Sequence, residues 1–291
     1  MLLASFAFAT MAMCVKVASQ WFNAAELVFW RGLMGMGFMW LVARHQKVSL
    51  ATTLPWMHAW RSAIGVLSLG CWFFAIGGLP LATAVTLNYM SSVWIAAFLV
   101  GGSLLAWPPS PNALRQGPLA LAVLAGFAGV VLMLRPTIDH DQLFAGLVGL
   151  LSGFSAAFAY MQVMALGRAG EPEARTVFYF ALGSAVTGGL AMPVVGVSAW
   201  DWGHAAWLLP VGLFASLGQW CMTRAYSHGA TLVVASLQYS GLVFGAMYGL
   251  FLFGEQIPLM GWAGMALILG SGVAATILRE RAAPNAPAEE H

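Results

Sequence analysis

Along this 291-residue chain, apolar residues do not alternate with polar ones as in a half-buried strand. They fall in long, nearly unbroken blocks separated by short polar breaks. A bilayer core needs about 20 mostly apolar residues per helix, and ten blocks come near that length. They are Leu2–Ala18, Ala24–Ala43, Met57–Leu79, Leu81–Trp107, Gly117–Leu134, Leu143–Leu166, Thr176–Trp200, Ala205–Thr223, Ala230–Gly254 and Ile257–Leu278. From Leu81 onward no block contains Asp, Glu, Lys or Arg. A membrane barrel would show alternation over about 10 residues instead, so the pattern predicts an all-α integral membrane fold of ten transmembrane helices. Linkers such as SQWFN, GRAGEPEAR and DWGH leave no room for a second domain. The tail from 280 to 291, rich in Pro, Ala and Glu, reads as disordered.

Two stretches echo each other. Ala75–Ala96 reads AIGGLPLATAVTLNYMSSVWIA, and Ala225–Ala246 reads AYSHGATLVVASLQYSGLVFGA. Leu87/Leu237, Tyr89/Tyr239 and Val93/Val243 are identical at this offset, and Asn88/Gln238 keeps an amide before the tyrosine. Offsets of 148 to 150 also pair Phe6 with Phe154, Met13 with Met161, Leu33 with Leu182, Cys71 with Cys221 and Pro108 with Pro258. Five blocks precede the linker at 135–142 and five follow it. Because five is odd, the second copy enters the membrane from the opposite side, which makes two five-helix inverted-topology repeats. The expected division is 1–136, 137–279 and a cytoplasmic tail at 280–291. Inverted halves give nearly equivalent inward-facing and outward-facing states, which points to a transporter; the alternative, a membrane-embedded receptor or scaffold, does not call for inverted halves.

Composition agrees. The chain is 60% hydrophobic and 8% charged, against about 25% charged in soluble domains. A net charge of +2, with scattered basic residues, gives no sign of nucleic-acid binding. With the N-terminus cytoplasmic, Arg44, Lys47, Arg61, Arg115, Arg168, Arg175, Arg224, Arg279 and Arg281 collect inside, and only Lys16, Arg31 and Arg135 lie outside. That bias puts both termini in the cytoplasm, with the protein multi-pass in the cytoplasmic (inner) membrane. Cys14, Cys71 and Cys221 lie in apolar runs without metal spacing and read as small buried hydrophobes.

The order of these features resembles the EamA group of the drug/metabolite transporter superfamily. The resemblance rests on FWRGLMG around Arg31, on GGLPLATAVTLNYMSSVWIAAFL, and on FGEQIPLMGWAGMALILGSGV near the end. It covers nearly the whole chain. Ala-Trp-Pro-Pro stands where the family ends its fourth helix in Gly-Glu, and Ser91-Ser92 and Gly241-Leu242 replace the usual Pro. The resemblance implies movement of small organic metabolites through a central cavity, lined mainly by blocks 1, 3, 4, 6, 8 and 9.

Candidate site residues follow from the polar groups inside the apolar blocks. Asn88, Tyr89, Gln238 and Tyr239 sit at matching depths in the two halves, either lining a midplane site or bonding neighbouring helices. Trp72, Trp220, Gln219, Tyr160 and Gln162 extend the same candidate cavity, with packing or lipid contact as the alternative. Arg31 reads as an anchor for a carboxylate, as a partner of Glu26, or as a side chain reaching the interface. Lys16 is expected to snorkel, Glu255 to cap the helix that follows it, and Arg61 and Arg224 to set topology. Trp21, Trp56, Trp107 and Trp200 read as an interfacial belt. Gly149-x3-Gly153 and Gly241-x3-Gly245-x3-Gly249 permit close helix approach, within one chain or in a dimer.

The first block lacks the embedded Glu with which small multidrug members of the superfamily exchange protons, so facilitated diffusion or exchange stands beside proton antiport. No G-x-S-x-G or H-E-x-x-H occurs, and Asp139, Asp141 and Asp201 are in loops. The chain therefore reads as a non-enzyme without cofactor or metal. Its expected partners are the lipid bilayer and a small amphipathic metabolite, such as an amino acid or nucleobase. A monomer is expected, with a homodimer as the alternative.

Overall fold

The computed structural model describes residues 1–91, 93–95, 97–98, 142–228 and 237–282, together with 118, 121–122, 124–126, 128–129 and 132. Most of the predicted block Gly117–Leu134, the start of Ala230–Gly254 and the tail from 283 lie outside the described residues. Every regular element among those described is a helix. These are α1 (Leu2–Ala18), α2 (Ala24–His45), α3 (Pro55–Gly78), α4 (Leu81–Tyr89), α5 (Leu143–Arg168), α6 (Glu173–Val195), α7 (Leu208–His228), α8 (Ser240–Phe253) and α9 (Leu259–Ala282), with a one-turn helix at Trp202–Ala205. Five stretches are long and apolar enough to cross a membrane: α2, α3, α5, α6 and Trp202–Tyr226. Leu2–Ala18, Ser240–Phe253 and Leu259–Ala274 are shorter apolar helices. Large apolar side chains such as Val194, Leu259 and Phe251 stand on the outer surface, as a hydrocarbon solvent requires.

Local chemistry sets the helix ends. At the start of α2, Asn23 accepts from the Glu26 backbone N–H while the Glu26 carboxylate accepts from the Asn23 N–H, closing a capping box. The same carboxylate takes the N–H and hydroxyl of Ser198. Glu26 is thereby used up in joining α2 to the chain beyond α6, and no ion pair links it to Arg31. Pro55 opens α3, where its missing N–H costs nothing. Gly254 ends α8 in the left-handed region at φ 60°.

Glu255 does not cap the helix after it. Its Oε1 accepts from the Leu81 N–H at 2.7 Å, so it caps α4 instead. The tight turn before α4 leaves that N–H without an intrahelical partner, and the α8–α9 connection brings the carboxylate to it. Lys16 joins the same cluster rather than reaching outward: its Nζ donates to the Leu79 carbonyl and lies 4.0 Å from Glu255.

The most extensive pairings are α2 with α6, α3 with α5, and α1 with α7, followed by α2 with α7 and α1 with α8. α4 sits between α5 and α8, and the glycine stripes explain how. Gly149 faces Leu87 and Ala75, and Gly153 lies against the Leu87 and Asn88 carbonyls. On the other side Gly241 lies under the Tyr89 hydroxyl and Gly245 under Val85. Both stripes thus pack against α4 within one chain.

The predicted block Leu81–Trp107 is not one uninterrupted α-helix. The backbone tightens at Met90, whose N–H bonds the Leu87 carbonyl three residues back at 3.3 Å. A matching tightening occurs at Tyr239, whose carbonyl accepts from the Leu242 N–H at 3.0 Å. These are 3₁₀-type turns. The Leu237 and Gln238 carbonyls accept from the Ser5 hydroxyl on α1.

At the end of the bundle where α2 stops and α3 begins, Glu171 holds the connections together. It accepts from Thr52 at 2.9 Å and Arg175 at 3.0 Å, and pairs with His58 Nε2 at 3.1 Å. His58 is buried there, stacked near Tyr179. Burial alone would raise the Glu171 carboxyl pKa, but the bonds from Thr52, His58 and Arg175, with Arg175's charge, hold it below its ordinary value. A lowered folded-state value adds stability above the unfolded carboxylate pKa of about 4.3, and that stability disappears as pH falls through the folded value. Glu171→Gln is expected to cost about 1–2 kcal/mol at neutral pH. In thermal unfolding in detergent, the gap between the two proteins should close below about pH 4; a gap that does not change with pH would contradict this assignment.

Candidate functional site

An interior cavity of about 60 Å³ lies where α1, α3, α4 and α5 meet α2, α6 and α7. Metabolite pockets run to about 300 Å³ or more, so this conformation admits water but no metabolite. Asn88 and Tyr89 reach it from α4, Trp72 from α3, Tyr160 from α5, Gln219 from α7, Gln238 from the turn before α8, and Arg31 from α2. The other three sequence candidates lie elsewhere. Tyr239 is buried behind the wall, its hydroxyl against Gly272 and its ring centroid 6.4 Å from that of Tyr89. Trp220 is partly exposed, with the Arg224 guanidinium 6.0 Å from its ring, and Gln162 is also partly exposed and outside the cavity wall.

The 3₁₀-type turns help to place these groups. Asn88 and Gln238 each stand next to one, and both amides are engaged. Asn88 Nδ2 donates to Ser152 Oγ at 3.2 Å. Gln238 Oε1 accepts from the Tyr226 hydroxyl at 2.7 Å, and its Nε2 donates to the Tyr160 hydroxyl at 3.4 Å. Interhelical bonding therefore accounts for much of what these amides do.

Arg61 is the residue that sequence reasoning missed. It does not sit at a helix end: α3 begins at Pro55, so Arg61 is almost two turns inside, 3% exposed, and on the cavity wall. Its guanidinium carbon lies 4.1 Å from the Phe180 ring centroid, and that of Arg31 lies 4.8 Å from the same centroid. Phe180, on α6, thus offers its π-system to two cations. Gly65, one turn after Arg61, makes room for this arrangement, since a Cβ there would run into Arg61 Nη1. The Arg61-x3-Gly65 spacing was the available signal. Arg31 Nη1 donates to Ser184 Oγ at 3.4 Å. Arg31 Nε, Arg61 Nε, Arg61 Nη1 and Trp72 Nε1 are buried without a hydrogen-bond partner among the described residues. No ion pair joins either arginine to a carboxylate among those residues. A single charge at the centre of a bilayer costs about 2.5–3.5 kcal/mol on insertion scales, so two buried cations in apolar helices call for a compensating partner. No cluster of His, Cys, Asp or Glu suited to a metal occurs among the described residues.

Comparison with known proteins bears on what such a cavity serves. No family model matches the chain. It is 34% identical over 262 residues to the pseudopaline exporter CntI of Pseudomonas aeruginosa, covering 88% of this chain and 87% of that protein. It is 26% identical to a riboflavin transporter of Rhizobium johnstonii, covering 94% and 88% of the two chains. It is also 27% identical to an uncharacterized transporter of Helicobacter pylori, covering 94% and 91%. A crystal structure of another protein superimposes with a TM-score of 0.62 over 96% of this chain and 98% of that one at 18% identity, which speaks to the fold alone. The chain is a multi-pass membrane transporter of small molecules and not an enzyme, and it belongs to the EamA-type group of the drug/metabolite transporter superfamily.

Proposed function

We propose that the protein exports a small amphipathic metabolite, of amino-acid or nucleobase size, across the cytoplasmic membrane by alternating access. The site is the cavity between two inverted five-helix halves. One observation carries this reading: a cavity whose wall includes buried polar side chains with unmet donors lies inside an apolar bundle and is reached from both halves of the chain. The pairing of helices supports the two-fold arrangement. Under the repeat α1 corresponds to α5, α2 to α6, α3 to α7 and α4 to α8. The α3–α5 contact then has its counterpart in α1–α7, α4–α5 in α1–α8, and α2–α7 in α3–α6, while α2–α6 and α4–α8 are their own counterparts. Export is the direction suggested by the exporter among the relatives. Both termini in the cytoplasm follow from the distribution of Lys and Arg.

The test is protein-dependent movement of labelled amino acids and nucleobases across proteoliposomes. Tyr89→Ala removes an aromatic wall and is expected to slow flux at least about tenfold, the effect of roughly 1.4 kcal/mol, with unchanged membrane expression. If no compound crosses faster than through protein-free vesicles, the transport reading fails.

A further inference from the structure

We infer that the cavity binds its substrate as an organic dianion, with one carboxylate held by Arg31 and a second by Arg61. This rests on the transport reading of the same cavity and names the chemistry of its cargo. A guanidinium stays protonated in a protein, so the wall presents two positive charges. Neither has a carboxylate partner among the described residues. The fully buried side-chain polar atoms left without a partner on this wall are Arg31 Nε, Arg61 Nε, Arg61 Nη1 and Trp72 Nε1, and every one of these is a donor.

The Asn88 and Gln238 amides are engaged with Ser152, Tyr226 and Tyr160, and a neutral amide such as that of Gln219 on the same wall does not balance two cations. A cation would meet two like charges here, and a neutral molecule would leave both uncompensated. A carboxylate fits a guanidinium fork with two parallel bonds. The arginines stand on separate helices with Phe180 packed against both. This favours two carboxylates on a short organic frame over one, with Trp72 and Tyr89 as walls for the frame. The present cavity must widen to admit such a molecule.

The test measures binding of glutarate, butyrate, glutaramide and glycerol 1-phosphate to the purified full-length protein in detergent, read by tryptophan fluorescence and by thermal stabilisation. Glutarate is expected to bind at least about tenfold more tightly than butyrate, and glutaramide not to saturate. Arg31→Gln and Arg61→Gln should each weaken glutarate at least about tenfold while leaving a cooperative melt. Arg31→Lys and Arg61→Lys, which keep the charge, should retain part of the binding and stand in if a glutamine variant does not fold. Equal binding of glutaramide and glutarate, or wild-type glutarate affinity in both glutamine variants, overturns the proposal. Tighter binding of glycerol 1-phosphate than of glutarate overturns the assignment to carboxylates.

Proteoliposomes separate this proposal from the reading beneath it. If glutarate binds as described but no compound crosses the membrane, the transport reading fails and the anion site stands. If neutral metabolites cross at wild-type rates through the Arg31→Gln/Arg61→Gln double variant, the anion site fails and transport stands.

Discussion

Gly153→Ala is expected to be among the most damaging single-methyl changes at the described glycines. A Cβ at this position would lie closer to the Leu87 carbonyl oxygen than real contacts allow, and 3.2 Å from the Asn88 oxygen. Both obstacles are backbone, so no side-chain rotation relieves them. α4 would have to move away from α5, yet its other face rests on Gly241 and Gly245 and its first N–H is held by Glu255. Overpacking in a rigid core costs about 1–3 kcal/mol and occasionally more, and this site belongs at the upper end. The measurement is thermal unfolding in detergent. Gly37→Ala, at a glycine with open space around it, serves as control. Equal melting of the two variants would show that α4 is not confined as described.

Gly65→Ala should behave in the opposite way, with a large loss of activity and a small loss of stability. The added methyl would meet the far end of the Arg61 side chain, which can swing aside, and the edge of the Phe180 ring at 2.9 Å. What gives way is the placement of Arg61 over that ring. Losing one charge-assisted contact of about 1.5–3 kcal/mol corresponds to a drop in flux of roughly 10- to 100-fold, with normal membrane insertion. Wild-type flux in Gly65→Ala would show that the guanidinium position is immaterial to transport.

The two glycines also show what sequence can and cannot convey here. Among the described residues several helix positions are legible because a bilayer imposes length and apolarity on each span, and the block Leu2–Ala18 matches α1 to the residue. The facing of each helix was not legible, because both its lipid side and its protein side are apolar and no stripe stands out. That is why Arg61 reads from sequence as an end residue near a polar linker, whereas Pro55 starts α3 early enough to carry it inward. Chain proximity points Glu255 to the helix that follows it, whereas its partner Leu81 is 174 residues away. Asn88 and Gln238 could be picked out because an amide in an apolar run needs a partner, although nothing in the run names Ser152 or Tyr226 as that partner. Tyr239 matches Tyr89 in sequence, and the match does not extend to the cavity wall.

The tightened turns at Met90 and Tyr239 have a mechanical consequence. A continuous α-helix behaves as a stiff rod, so a pull at its middle is passed undiminished to both ends. A rod interrupted by a 3₁₀ turn bends there first, and each segment can tilt without dragging the other. Leverage applied at Asn88 and Tyr89 can thus be spent on one end of the bundle while the other, tied by Lys16, Leu79 and Glu255, keeps its shape.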